Sequence, residues 1–352
     1  SNAQGPAIRQ QQAPKWKRRK TINRLRSFQR TECSKLQSTL PTIVAVPSTA
    51  EDEDVRAAYA AEQAWQSYAE VKRFRRQYNA AIWWAVVTGN GFLKVWWNSA
   101  LKVRLPDGED QGDIDYRKVS PLNIFIPEPR EREIEDQPYV IEAYTRTVEW
   151  ANSSYPEALN GKKLTASTSS VEFATEGALS VGCAKKLDSV TVKEMWVKPE
   201  ANKILPEGGF LVLVDDILVD YMQGYEYSHG EYPYTKIEHM YNDTFWADSP
   251  LVDLIQLQRE YNELRTEVAV AARRMGTPQL LVSKGSVQVS KLTNEPGSVI
   301  EFNPGHNRPE PLPLSALPQY VLEQQDRVLQ DFEDISGQHD VSKGQAPAGV
   351  TA

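Results

Sequence analysis

Apolar positions recur along the chain with two different periods. Trp16, Ile22, Leu25, Phe28 and Leu36 mark one face over residues 15–40 and predict a helix, which Pro41 ends. TIVAV (42–46) reads as a short strand. A second helix follows from STAEDEDV, with Ser48 or Thr49 as its cap and Glu51 to Asp54 where the helix dipole favours acids. The helical pattern runs to Val87 with a break near Glu70. From Gly91 the period changes to two: FLKVWW, LKVRL, DIDYRKV and NIFIP alternate as strands do, with turns at Asn98-Ser99 and across PDGEDQGD. YVIEAYTRT (139–147) is another strand, followed by a short helix ending near YPEALNG. Residues 160–187, rich in Ser, Thr, Ala and Gly, read as a mobile loop. SVTVKEMWV, FLVLV and ILVDY resume the strand pattern, the last two as a hairpin around Asp215-Asp216, and KIEHMYN closes the mixed region.

After Asp248 the character changes. Ser249 is placed to cap a helix and Pro250 to open it, where its missing N–H does no harm. Leu254, Leu257, Tyr261, Leu264, Val268, Ala271 and Met275 then step by three and four, a heptad seam that buries a stripe against other helices. Gly276 and Pro278 end this helix. A short insert (QLLVS, VQVS, SVIEF) reads as strands between turns. A second long helix, from about Pro318 to Ile335, buries Val321, Val328, Phe332 and Ile335. The expected fold is therefore α+β: a mixed α/β domain carrying a long two-helix stalk, with a small β-rich insert at the stalk's far end.

Composition narrows the function. Residues 1–30 hold nine basic side chains (Arg9, Lys15, Lys17, Arg18, Arg19, Lys20, Arg24, Arg26, Arg30) and no acid, which leaves 31 basic against 47 acidic groups in the rest. Such an arm fits a nucleic-acid-binding tail, a solvated helix face or a contact with an acidic neighbouring subunit. The acidic body argues against gripping DNA phosphates along its length. Two cysteines, Cys33 and Cys183, show neither metal nor disulfide spacing and suit a reducing cytoplasm. No apolar run approaches the roughly 18 residues of a membrane helix. Ser1-Asn2-Ala3 reads as the remnant of a removed tag.

Candidate chemistry is sparse. In TGNG (88–91) the dinucleotide fingerprint fails, because Lys94 stands where the third glycine belongs and a helix enters where a strand should. Gly89 reads instead as a left-handed helix end, with Trp83, Trp84, Trp96 and Trp97 packing the corner between helix and sheet. An enzyme site at this corner would require Lys94 or Asn90 to bind ligand. Asp107, Glu109, Asp110, Asp113 and Asp115 miss the calcium-loop register, since its twelfth position is Lys118. His229, His239, His306 and His339 lack metal spacing, and no phosphate loop or serine elbow occurs. No catalytic residue, metal or cofactor is expected.

Five segments, in order, carry a resemblance: RTECSKLQSTLPTIVAVPSTAEDEDVRAA, TGNGFLKVWWN, GDIDYRKVSPLNIFIPEP, DSPLVDLIQLQREYNELRTEV and DISGQHDVSKGQAPAGV. Together they resemble the portal proteins (head–tail connectors) of tailed bacteriophages. The resemblance implies a non-enzymatic homo-oligomer, a ring usually of twelve copies at a capsid vertex of the virion, assembled in the host cytoplasm. Double-stranded DNA would pass through it non-specifically, and the large terminase subunit, head–tail adaptors and capsid or scaffold proteins would dock on it. Residues 1–19 would be remnant and arm, 20–248 the wing, 249–276 and 315–336 the stem helices, 277–314 the clip, and 337–352 a return segment. Family members continue past such a segment into a tunnel loop and crown, so the chain is expected to be shortened there. Leu254, Leu257, Tyr261, Leu264 and Val268 would pack the stem. Arg259, Glu263, Arg273 and Arg274 would face channel or neighbour, and Lys284, Lys291, Glu295 and Arg308 would serve clip contacts. The alternative is a nucleic-acid-binding module that uses the basic arm.

Overall fold

The structure is a computed structural model that describes residues 19–39, 44–104, 110–162, 164, 189–201, 203–224, 227, 229–277, 279–288, 299, 301–313 and 318–338. It is α+β and divides into two compact units, residues 29–252 and residues 1–28 with 253–352. Helix α1 (Arg24–Ser38) starts later than its pattern suggested, because the backbone of residues 20–24 bonds to side chains elsewhere.

In the unit of residues 29–252, helix α2 (Asp52–Val71) opens with Asp52, Glu53 and Asp54 at the positive end of its dipole. Its expected cap differs: Thr49 bonds the Asp54 carboxylate and receives the Glu51 N–H at 3.3 Å, one turn ahead of the helix. Lys72 and Arg73, the latter left-handed at φ 56°, break it from helix α3 (Phe74–Thr88). TIVAV forms no strand at its described residues 44–46, where Val44 and Val46 are exposed; the rest of it lies outside the described residues.

Strand β1 (Asn90–Arg104) is continuous where two strands and a turn were expected. A register shift against strand β2 (Asp110–Val119), between Asn98 and Val103, absorbs the extra residues as a bulge. Strand β3 (Ile124–Phe125) pairs with strand β4 (Tyr139–Thr147), which runs into helices α4 (Val148–Ser154) and α5 (Pro156–Leu159). Strands β5 (Ser189–Val197), β6 (Gly209–Val214) and β7 (Ile217–Gln223) complete an antiparallel sheet in chain order, β3-β4-β5-β6-β7. Strand β8 (Tyr234–Glu238) joins the other sheet, of order β2-β1-β8. Phe92 and Tyr234 of that sheet share one core with Val140 and Trp196 of the five-stranded sheet. Val190, Val192, Val212 and Val214 form a second core with Ala151 and Leu159 of α4 and α5. The Ser/Thr-rich segment lies outside the described residues except at 160–162 and 164.

The other unit contains most of helix α6 (Leu251–Gly276), 26 residues and about 39 Å long at 1.5 Å per residue. Ser249 does cap it, accepting the Leu251 N–H at 3.2 Å. Strands β9 (Leu280–Leu281) and β10 (Glu310–Pro311) form a two-residue ladder, the only pairing described in the insert. The described part of SVIEF is not strand, and VQVS is non-strand where described, at 287–288; prolines at 304, 309, 311 and 313 remove the donors a longer ladder needs. Helix α7 (Gln319–Ser336) buries Val328 and Phe332, half-buries Val321 and leaves Ile335 exposed. It is tied to α6 by Arg265 to Gln325 at 3.4 Å and Gln324 to Glu260 at 3.1 Å.

Candidate functional site

The TGNG corner is a clamp. Gly89 ends α3 at φ 92° and donates its N–H to Ala85 O at 2.8 Å, while its carbonyl accepts the His239 N–H at 2.9 Å. A Cβ on Gly89 would lie 2.0 Å from Ala247 O, and one on Gly91 would lie 2.2 Å from Ala81 O. The buried Asn90 side chain pairs both ways with Ala247, donating Nδ2 to its carbonyl at 3.1 Å and accepting its N–H at 3.2 Å. Ser249 donates to Val86 O at 2.8 Å. Glycine, asparagine and serine are needed here because three backbones approach within hydrogen-bond distance, which leaves no room for a ligand between them.

The densest chemistry sits between the two sheets, and the sequence reading did not single it out. On one sheet Lys94 is register-paired with Arg117 on one side and Tyr234 on the other; on the facing sheet Glu142 is paired with Glu194. Like charges directly opposite destabilise a sheet, so each sheet alone carries a repulsive pair. Docking cancels both. Lys94 Nζ reaches Glu142 Oε2 at 3.1 Å and also bonds Glu194, and Arg117 Nη2 reaches Glu142 Oε1 at 2.9 Å. Tyr234 donates its hydroxyl to Glu142 at 3.0 Å, and Tyr144 donates to Glu194. The Lys94 and Glu142 side chains are 3% and 2% exposed, so these charges stand out of water. Burial pushes the Glu194 carboxyl up, but Lys94, Tyr144 and Arg117 outweigh it and hold it below its ordinary value. Burial and the two glutamates drive the Tyr234 hydroxyl well above its ordinary range, so it stays a donor. Two cations facing two carboxylates, each engaged by an opposite charge, make a neutral sheet-to-sheet fastener. A signal existed: Phe92 and Lys94, Arg117 and Val119, Val140 and Glu142, and Glu194 and Trp196 each alternate on one core-facing strand face.

The sequence-predicted seam is graded along α6. Leu254 and Tyr261 are buried, Leu257, Leu264, Val268 and Ala271 half-buried, and Met275 exposed. The buried polar positions Gln258 and Thr266, with Asn262 between them, went unnoticed. Spaced by four on one helix face, they grip the chain ahead of α1 through its backbone: Lys20 N–H to Thr266 Oγ1 at 3.0 Å, Ile22 N–H to Asn262 Oδ1 at 2.9 Å, and Arg24 N–H to Gln258 Oε1 at 2.7 Å. Gln258 Nε2 returns a bond to Ile22 O at 2.7 Å. Arg24 lies over the Tyr261 ring at 5.5 Å.

Arg259, Glu263, Arg273 and Arg274 are exposed on α6. Lys284 is exposed, and Arg308 stands 3.9 Å from Glu310. Lys291 and Glu295 lie outside the described residues, as do Asp107, Glu109, Cys183 and His339. Asp113 is engaged by Lys72 at 2.6 Å and by the Tyr68 hydroxyl. Among the described residues no cluster of three or more His, Cys, Asp or Glu is placed to hold a metal, and no helix is long and apolar enough to cross a membrane.

A family model described as Phage P22-like portal protein matches residues 6–244, more than half of the chain. The chain belongs to the P22-like phage portal protein family. No curated protein matches it. The match takes in both sheets, the TGNG residues and the charged fastener of this portal-family chain, and it ends before α6.

Proposed function

We propose that this portal-family chain is a structural, non-enzymatic subunit of a closed ring at a capsid vertex of the virion, assembled in the host cytoplasm. Double-stranded DNA is packaged and ejected through the ring, and motor activity belongs to a docked terminase. The family match carries this reading. In it, residues 20–248 are the wing, 249–276 and 315–336 the stem helices and 277–314 the clip, ahead of a return segment at 337–352. Leu254, Leu257, Tyr261, Leu264 and Val268 pack the stem, and Arg259, Glu263, Arg273 and Arg274 face the channel or a neighbour. Lys284, Lys291, Glu295 and Arg308 meet terminase or head–tail adaptors.

Exposed apolar side chains on the two long helices support assembly. Ile255 and Met275 on α6, and Tyr320, Leu322 and Ile335 on α7, are between 36% and 69% exposed. A neighbouring copy would cover such residues, and a head-to-tail contact of this kind closes into a ring when its rotation permits. Negative-stain electron microscopy with mass photometry tests the proposal. Closed rings with a central hole, near twelve subunits, are the expected result. A monodisperse monomer would defeat it.

A further inference from the structure

Helix α2 buries none of its 20 residues. Its half-buried positions, Asp54, Ala58, Glu62, Trp65 and Ala69, mark one side, where Trp65 meets Phe74 of α3 edge-on at 5.1 Å. Helices in proteins are held mostly by the packing of one face, so a helix this uncovered is short of a partner. Asp52, Val55, Tyr59 and Glu62 step by three, four and three and therefore share a face. On it Val55 and Tyr59 are 47% and 66% exposed, with a carboxylate at either end. The helix dipole accounts for Asp52 but not for Glu62, which lies mid-helix. Among the described residues neither carboxylate is held in an ion pair.

We propose that this face takes the basic N-terminal arm of a second copy of the chain, with Trp16 against Val55 and Tyr59, and Lys15 and Lys17 against Asp52 and Glu62. The two are complementary in order: cations on either side of an aromatic, carboxylates on either side of an apolar pair. Residues 1–18 lie outside the described residues and lead into the strap of residues 20–24, whose backbone Thr266, Asn262 and Gln258 hold on α6. Nucleic acid would account for the arm's charge and leave α2 uncovered. An unrelated basic protein would cover α2 and leave the arm unused. A second copy accounts for both. Because face and arm are different parts of one chain, the contact is head-to-tail and can repeat around a ring. This docking presupposes the ring reading above, in which each copy has a neighbour.

The test treats the full chain with a carbodiimide, which joins a lysine amine to a neighbouring carboxylate, and separates the products on a denaturing gel. Peptides joining Lys15 or Lys17 to Asp52 or Glu62 are expected in the dimer band and not in the monomer band. Tyr59→Ala should lower their yield roughly fivefold, about the worth of one aromatic contact, while Tyr221→Ala on β7 leaves it unchanged. Tyr59 is exposed and alanine favours helix, so the fold should survive the change. The same peptides in the monomer band would place the arm on its own chain and overturn the proposal. Their absence from both bands, or indifference to Tyr59→Ala, would overturn it too. Closed rings without these peptides would sink this contact and leave the ring standing. The peptides in a dimer band from particles that never close would uphold the contact and sink the ring.

Discussion

Replacing Lys94 with methionine separates the two roles its position suggests. The substitution keeps the length and apolar stem of the side chain and removes the charge that faces Glu142 and Glu194. Among the described residues Arg117, at 2.9 Å from Glu142, is then the cation left against the buried Glu142 and the half-buried Glu194, which are register-paired with each other. Breaking a buried ion pair from one side costs about 3–5 kcal/mol, because it leaves an uncompensated charge. In a unit of this size that corresponds to a fall in Tm of roughly 6–20 °C.

The pH dependence carries a sign that a packing defect would lack. In the parent the Glu194 carboxyl lies below its unfolded value, so its contribution is present above that value and lost as pH falls through the folded one. In the Lys94 variant burial remains and the chief opposing charge is gone, so the carboxyl rises above its unfolded value. Its penalty is then full at neutral pH and relieved as acid protonates it. Melting followed by circular dichroism should show a gap to the parent that is largest at pH 7 and narrows at pH 5. Adding Glu194→Gln should recover about half of the loss, since Arg117 and Glu142 then balance. A variant melting within a few degrees of the parent at pH 7, or a gap that is the same at both pH values, would refute the fastener.

Gly91→Ala should fail to accumulate as folded protein, because its Cβ would stand 2.2 Å from a backbone oxygen of α3 that cannot move aside; soluble protein with a parental melting curve would refute this. Gln258→Ala removes the acceptor of the Arg24 N–H and the donor to Ile22 O, so hydrogen exchange at residues 20–25 should quicken by one to two orders of magnitude, about 1–3 kcal/mol of local stability. The same variant should leave the melting of residues 29–252 unchanged.

What the sequence disclosed follows a physical division. Elements fixed by local chemistry were legible: the αL end of α3 at Gly89, the break at Lys72-Arg73, the hairpin at Asp215-Asp216 and the cap at Ser249 each depend on a few adjacent residues. Elements fixed by pairing across the chain were not. The bulge in β1 resembles a turn until β2 lies beside it, since Asn98 and Ser99 are turn residues by composition and bulge residues only by register. Lys94 and Glu142 are 48 residues apart, and nothing local distinguishes a strand charge facing water from one facing a second sheet. The strap shows the same limit from the other side. Ile22, Leu25 and Phe28 do carry a helical period, yet Gln258, Asn262 and Thr266, more than 230 positions away, bind the backbone groups ahead of Leu25 before a helix can use them. Where a distant side chain satisfies the backbone better than the next turn would, helical periodicity overestimates the helix. The polar positions that remain on the buried side of α6 are therefore as informative as the apolar seam beside them.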